Sequence, residues 1–555
     1  MCNFNLVDFS RNNSLLGVNM IINIVGCGLA GLSAAIKASQ LGANVNLISP
    51  NYSETSQSVM AMGGINVALN TKGENDCIKN HYDDTINGGC EINNPNAVSN
   101  LTNNAPKIIK WLENMGVSFT RDSDGNVDLR YFGGQKYART AYAGARTGKQ
   151  LVTTLTSQCR KKESEGSVKR YVGWRFLSLI IKDNQCLGLI AINENTSEIM
   201  AFEGNVILAS GGMNKLFGKT SGSVLNDGYV TSKALMQGVA LANLEMIQYH
   251  PTTIKTSYKR MLITEAARGE GGKLFVIRDG KPWYFMKEWY PEFGELMPRD
   301  VVSRSIYKAS NAGLDEVYLD ITHLDEDTIK VKLDEVYDVC MKYLNLNPAN
   351  EPIPIFPGIH YFMGGIKTDE NHKTNIEGLF AAGECSCQYH GANRLGGNSL
   401  LGAIHGGCIA AKTACSTNIE PDGTFCKKAL EKEQDLFGSW DVCEGINIKD
   451  VEDNLSDIMN ASMGIYRNHD ELNNALQKLN DLNSSDIDSN GKYYDYVKIK
   501  SLLLLAKACL KSALMRKESR GAHQRSDYPE SDDGYLKTTC INFDGDVKIS
   551  FEGLN

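Results

Sequence analysis

The chain has 555 residues, too many for one ordinary domain, so two or three domains sharing interfaces are expected. Hydrophobic residues make up 42% and charged residues 22%, the balance of a soluble globular protein. A net charge of -8 speaks against a nucleic-acid-binding surface, and an anionic ligand would need a local cluster of cations.

The 15 cysteines are scattered, with Cys385 and Cys387 the closest pair. No C-x-x-C occurs, which excludes a zinc ribbon, a thioredoxin-type motif and a ferredoxin-type cluster run. Unpaired thiols without a secretion signal predict a reducing, cytoplasmic setting. No apolar run reaches about 18 residues, so no membrane span is expected. Met20 stands directly before the first strand; the polar segment ahead of it reads as disordered or as preceding the natural start.

In chain order, residues 21–25 read as a short buried strand. Gly26-Cys-Gly-Leu-Ala-Gly31 follows, then a small-residue helix to about Gln40 and a second strand over 44–48, the start of a βαβ unit. Strand-like and helix-like segments alternate over 20–243. Over 244–350 the texture changes: Trp283, Tyr284, Trp289 and Tyr290 cluster, and an inserted domain is predicted. Residues 351–425 return to the earlier Gly-rich style. Over 426–526 the pattern is helical, with Leu472, Leu476, Leu479 and Leu482 at helical spacing and an apolar helix over 497–515. Residues 527–555 read as a C-terminal tail.

Gly26-x-Gly28-x-x-Gly31 meets the physical needs of a dinucleotide site. The first glycine permits the turn, the second lets backbone approach a pyrophosphate, and the third lets helix pack on strand. The acidic residue usual at the end of the second strand is absent; Ser49 stands there, and Glu384 is a later carboxylate able to hold a ribose. A plain NAD enzyme is therefore disfavoured.

Several long motifs then occur in order: 248–252 (QYHPT), 264–271 (TEAARGEG), 298–304 (PRDVVSR), 360–366 (HYFMGGI), 378–400 (GLFAAGECSCQYHGANRLGGNSL) and 518–533 (ESRGAHQRSDYPESDD). In these the chain resembles the flavoprotein subunit of fumarate reductase and succinate dehydrogenase, a group related to L-aspartate oxidase, from about residue 20 to 537. The resemblance implies an α/β fold: a Rossmann-like FAD-binding domain (20–243 and 351–425) interrupted by an α+β capping domain (244–350) and followed by a helical domain. It implies an FAD site containing Gly26, Gly28, Gly31, Ser49, Gly63, Gly64, Asp227, Glu384, Ser399 and Leu400, with Ala209-Ser210-Gly211-Gly212 as a second Gly-rich turn.

A dicarboxylate needs a clamp at each end, and the planar fork of arginine suits it. By resemblance the clamp is His250, Thr264, His360 and Arg394, with Phe132 packing nearby. Hydride would pass from flavin N5 to one alkene carbon, and Arg299 would give a proton to the other. A free guanidinium is a very poor acid, with a pKa above about 12. The role therefore needs burial and a second cation, which Arg268 could supply, while Glu265 reloads the proton. Glu265 and Arg268 are three apart and would share a helical face. His390 and His523 read as supporting groups.

Membrane-complex relatives bind FAD covalently through a histidine six positions before a Gly-Gly pair. Here that position is Gln57, which predicts non-covalent FAD and tilts the reaction towards reducing fumarate to succinate. No haem or cluster motif lies in the chain, so a separate iron–sulfur subunit or a soluble electron carrier is implied, with membrane association only through partners. The alternatives are L-aspartate oxidase, succinate dehydrogenase running oxidatively, and a flavin-binding protein without catalysis.

Overall fold

The computed structural model describes residues 20–144, 146–256, 259–439, 445–488 and 492–554. The segment before Met20 lies outside them.

The hydrophobic strand Ile21–Val25 forms the centre of a five-stranded parallel sheet, in the order Leu379–Ala381, Asn205–Leu208, Ile21–Val25, Asn44–Ser49, Val168–Val172. Parallel strands buried on both faces read as apolar runs, as Leu379–Ala381 and Asn205–Leu208 nearly do, whereas the edge strand Val168–Val172 carries Lys169 and Arg170. Helix Leu29–Gln40 crosses over from the central strand and packs on helix Asn398–Ala414. The two approach so closely that a Cβ on Gly407 would lie 2.2 Å from Ala30 O. A three-stranded antiparallel sheet, Trp174–Lys182, Gln185–Asn193 and Ile199–Glu203, adjoins this domain.

The cap is a six-stranded antiparallel sheet in the order Arg260–Leu262, Ile247–Lys255, Ile353–Phe362, Val317–Asp320, Lys273–Arg278, Lys281–Trp283. Its long strand Ile353–Phe362 comes from past residue 350 and leads straight back to the FAD-binding domain. Helix Arg299–Ala309 packs against strand Ile247–Lys255. Trp283, Phe285 and Trp289 pack in T-shaped and tilted contacts at centroid distances of 5.2–5.8 Å beside this sheet.

The C-terminal helices Ile448–Ser462, His469–Ser484 and Tyr493–Met515 bury their apolar stripes, Leu472, Leu479 and Leu482 among them. Residues 527–555, expected as a tail, contain the hairpin Lys537–Asp544 and Asp546–Gly553. The hairpin pairs with Leu241–Ala242, so it extends a sheet rather than trailing off. Among the described residues no helix is long and apolar enough to cross a membrane.

Candidate active site

One cavity of about 460 Å³ runs from the glycine turn of the parallel sheet to the cap, a size usual for a ligand site. Its first end is made of backbone. Gly26 has φ +106°, and a Cβ there would lie 2.3 Å from Ala209 O. A Cβ on Gly31 would lie 1.9 Å from Gly26 O. Only glycine permits these approaches. Gly28 and Gly397 begin helices Leu29–Gln40 and Asn398–Ala414, neither with a side-chain cap, and both line the cavity. Two helix N-termini on one space favour an anionic, phosphate-bearing ligand. FAD fits this cradle by its chemistry.

Ser49, Gln57, Gly63, Gly64, Asp227, Glu384, Ser399 and Leu400 all line the same cavity; Gly31 and Arg268 stand behind its wall. Ser49 Oγ accepts from Cys27 Sγ at 3.1 Å and Asn51 N at 3.3 Å. Asp227 Oδ1 accepts from Tyr229 N at 3.0 Å. Gln57 is tied in place: its Oε1 accepts from Ser223 N at 3.0 Å and Asn226 Nδ2 at 2.8 Å, and its Nε2 donates to Glu384 Oε2 at 3.2 Å. Burial pushes the Glu384 carboxyl up to about 7. Phe132 packs so tightly on Gly63 that a Cβ there would lie 2.8 Å from its ring.

The second end collects the expected substrate groups. Strand Ile247–Lys255 breaks register on either side of His250, with Pro251 at the irregularity; such bulges re-aim side chains. The rings of His250 and His360 lie 5.1 Å apart. His360 Nδ1 bonds Ser221 Oγ at 2.8 Å, and His250 Nδ1 lies 3.2 Å from Thr252 N. His250 Nε2 is buried without a partner. Burial, reinforced by Arg299, holds both imidazoles well below the usual histidine range, so they are neutral.

Glu265 is buried between two guanidiniums. Its Oε2 accepts from Arg299 Nε at 2.9 Å and Nη2 at 2.5 Å, and its Oε1 from Arg268 Nη2 at 2.9 Å and Gly133 N at 3.1 Å. Burial alone would raise this carboxyl, but Arg299 and Arg268 outweigh it and hold it low. The expected three-residue spacing is realised: Glu265 precedes the short helix Ala266–Gly269 that carries Arg268. Burial lowers the Arg268 guanidinium. Burial, then Arg299, lowers Arg394 to about 9. Arg394 also sits 4.3 Å over the Tyr361 ring, and its Nε has no partner.

Sequence reasoning missed Gln248, the residue that joins these parts. Its Oε1 accepts from Arg299 Nη1 at 3.3 Å and Arg394 Nη2 at 2.9 Å. Its Nε2 donates to Arg394 O at 2.7 Å and Asn393 Oδ1 at 2.9 Å. Its place two residues before His250 in the first long motif was the available signal. His390 bonds Tyr361 OH at 3.3 Å, behind the cavity wall. His523 lies away from the cavity, between Arg467 Nη1 at 3.0 Å and Arg516 O at 3.1 Å. Among the described residues no cluster of three or more His, Cys, Asp or Glu could hold a metal ion.

Known proteins resemble this chain over nearly its whole length. An FAD binding domain family matches residues 22–400, and a fumarate reductase flavoprotein C-terminal family matches 452–555. The succinate dehydrogenase flavoprotein subunit of Bacillus subtilis is 41% identical, over 93% of this chain and 93% of its own length. The fumarate reductase flavoprotein subunit of Haemophilus influenzae is 34% identical, over 96% and 94%. In fold, the FrdA chain of E. coli quinol fumarate reductase superposes with a TM-score of 0.88 at 30% identity, covering 96% of each chain.

Proposed function

Since the chain belongs to the fumarate reductase/succinate dehydrogenase flavoprotein family, and is thereby an FAD-dependent oxidoreductase acting on CH–CH groups, we propose that it reduces fumarate to succinate with non-covalently held FAD. The observation that carries this reading is the pairing of Arg299 and Arg394 across the neutral amide of Gln248, at a cavity wall shared with two neutral imidazoles.

Arg394, His250, His360 and Thr264 bind the two carboxylates of the substrate. Gln248 orients the guanidiniums without neutralising them, so both remain available to a dianion. FAD, when bound, supplies the hydride. Arg299 gives a proton to the neighbouring carbon. Glu265, bonded to two nitrogens of Arg299, returns that proton from the Arg268 side. Phe132 and the cap exclude water, which strengthens each charge interaction.

Gln57 supports both the non-covalent FAD and the reductive direction, because an amide forms no flavin bond. Acid precipitation should leave a colourless pellet and a yellow supernatant; yellow protein would refute non-covalent attachment. The opposite direction is the second reading, favoured by the B. subtilis relative named succinate dehydrogenase. Electrons come from an iron–sulfur subunit or a soluble carrier, and any membrane attachment of this cytoplasmic chain is through such partners. Anaerobic assays with fumarate and reduced viologen, succinate and an electron acceptor, and L-aspartate with oxygen decide the reaction. Turnover of L-aspartate alone would overturn the proposal.

A further inference from the structure

The two arginines come from different parts of the fold. Arg299 opens a cap helix, whereas Arg394 lies in the loop before helix Asn398–Ala414 of the FAD-binding domain. Two like charges facing one cavity repel, so something must hold their segments together. The residues next to them are joined. Asp300 Oδ1 accepts from Asn393 Nδ2 at 2.8 Å. Asp300 Oδ2 accepts from Arg304 Nη1 at 2.7 Å, one helical turn on, and Arg304 Nη1 also donates to Gly521 O at 2.9 Å. Asn393 Oδ1 is already committed to Gln248.

The third anchor gives a role to Gly521 in the motif at 518–533, which lies outside the active site. Gly521 has φ +54°, and a Cβ there would lie 2.7 Å from Ala392 Cβ. Ala522 N donates to Ala392 O at 2.9 Å. A glycine is needed for this loop to reach the 391–393 backbone and offer its carbonyl to Arg304.

We propose that Asp300, Asn393 and Arg304 form a clasp, anchored on Gly521, that sets the position of Arg299 against Arg394 for dicarboxylate binding. The three are positioning residues; none lines the main cavity. This rests on the proposed function, in which the dicarboxylate lies between the two arginines.

The polarity of the clasp gives its test. In Asn393→Asp two carboxylates face each other. In Asp300→Asn, the amide oxygen stays with Arg304, so its NH2 group meets the NH2 group of Asn393. In the double variant every contact is restored: residue 300 accepts from Arg304 and donates to residue 393, which still accepts from Gln248. Each single variant should raise the KM for fumarate about tenfold and lower kcat about tenfold, because the displaced Arg299 is also the proton donor, and the double should return within about threefold of wild type in both. Fumarate Kd, from the change in flavin absorbance, should follow KM. FAD content and Tm are measured alongside. Single variants with wild-type KM and a lowered Tm alone, or a double whose defects add, would overturn the clasp. A wild type that binds fumarate without turning over fumarate or succinate defeats the proposed function, while the Kd series still decides the clasp. A wild type that does not bind fumarate overturns both.

Discussion

Two buried clusters of arginine and carboxylate differ in one respect: only one faces a cavity. In the C-terminal cluster, Arg516 is bonded through all three nitrogens, to Glu245 Oε1 at 2.7 Å, Glu518 Oε1 at 2.9 Å, Thr539 Oγ1 at 2.8 Å and the carbonyls of Tyr535 and Lys537. In the active-site cluster, Arg394 Nε, Arg268 Nε and His250 Nε2 are buried without partners. Burying a polar atom unpaired is costly. In the first cluster every nitrogen of Arg516 is committed, although Glu245 Oε2 has no partner, and the arginine ties the C-terminal segment to the rest of the chain. At the cavity wall, Arg394 and His250 keep capacity that a bound dianion would fill.

Breaking each cluster should therefore give opposite phenotypes. Arg299→Ala removes the proposed proton donor and should lower fumarate turnover by roughly 10²–10⁴-fold, with FAD retained and Glu265 still bonded to Arg268 and to Gly133 N. Turnover near wild type would remove Arg299 from that role. Arg516→Ala strands Glu245 in the interior with the Thr539 hydroxyl as its remaining side-chain partner, while Glu518 keeps Arg520, and this should cost about 3–5 kcal/mol. Thermal unfolding should show this, while KM per folded enzyme stays unchanged. If Arg516→Ala instead altered KM at full stability, the contrast between the clusters would fail.

A change of charge at Gln248 sharpens the comparison. Gln248→Glu would turn the active-site bridge into the complete kind of pair seen at Arg516. An anion held between Arg299 and Arg394 competes with the substrate carboxylates, so KM for fumarate should rise at least about tenfold. Gln248→Asn, too short to reach both guanidiniums but neutral, should raise it less. Equal effects would mean that geometry, not charge, is what Gln248 provides.

Gly26, Gly28 and Gly31 were legible by spacing, and Glu265, Arg268, Arg299 and Arg394 through the family motifs that contain them. Gln248 was not, because its meaning lies in partners 51 and 146 residues away, and no sequence spacing predicts that meeting. The same holds for Asp300 and Asn393. The hairpin within 537–553 was legible in principle. Ile541 and Phe543 alternate with Asn542 and Asp544, and Asp544-Gly-Asp carries a turn, Gly545 having φ +71°. Reading that segment as a tail gave its position in the chain more weight than its period of two. Inside the cap, the aromatic cluster marked a new domain, but strand Ile353–Phe362 resembles the strands of either neighbour, so texture alone placed the transition before it.

Histidines extend the contrast to the smallest effect. His250 and His360 at the site are neutral, and so are the core residues His372, held at about 4, and His405, at about 3, both lowered by burial. For a core histidine the sign is fixed by linkage. Above about pH 6.5 neither the folded nor the unfolded chain protonates it, and stability is unaffected. Below that, the unfolded chain takes up a proton that the folded chain refuses. Stability then falls by about 1.4 kcal/mol per pH unit for each such group until its folded pKa is reached. His405 Nδ1 lies 3.0 Å from Tyr389 OH and its Nε2 has no partner, so His405→Gln keeps an acceptor for that hydroxyl and removes the titration. Chemical unfolding at pH 7.5 and 5.0 should show a shallower loss of stability in His405→Gln than in wild type, by about 2 kcal/mol. Equal losses in the two proteins would mean that His405 is already protonated in the native core, against its burial.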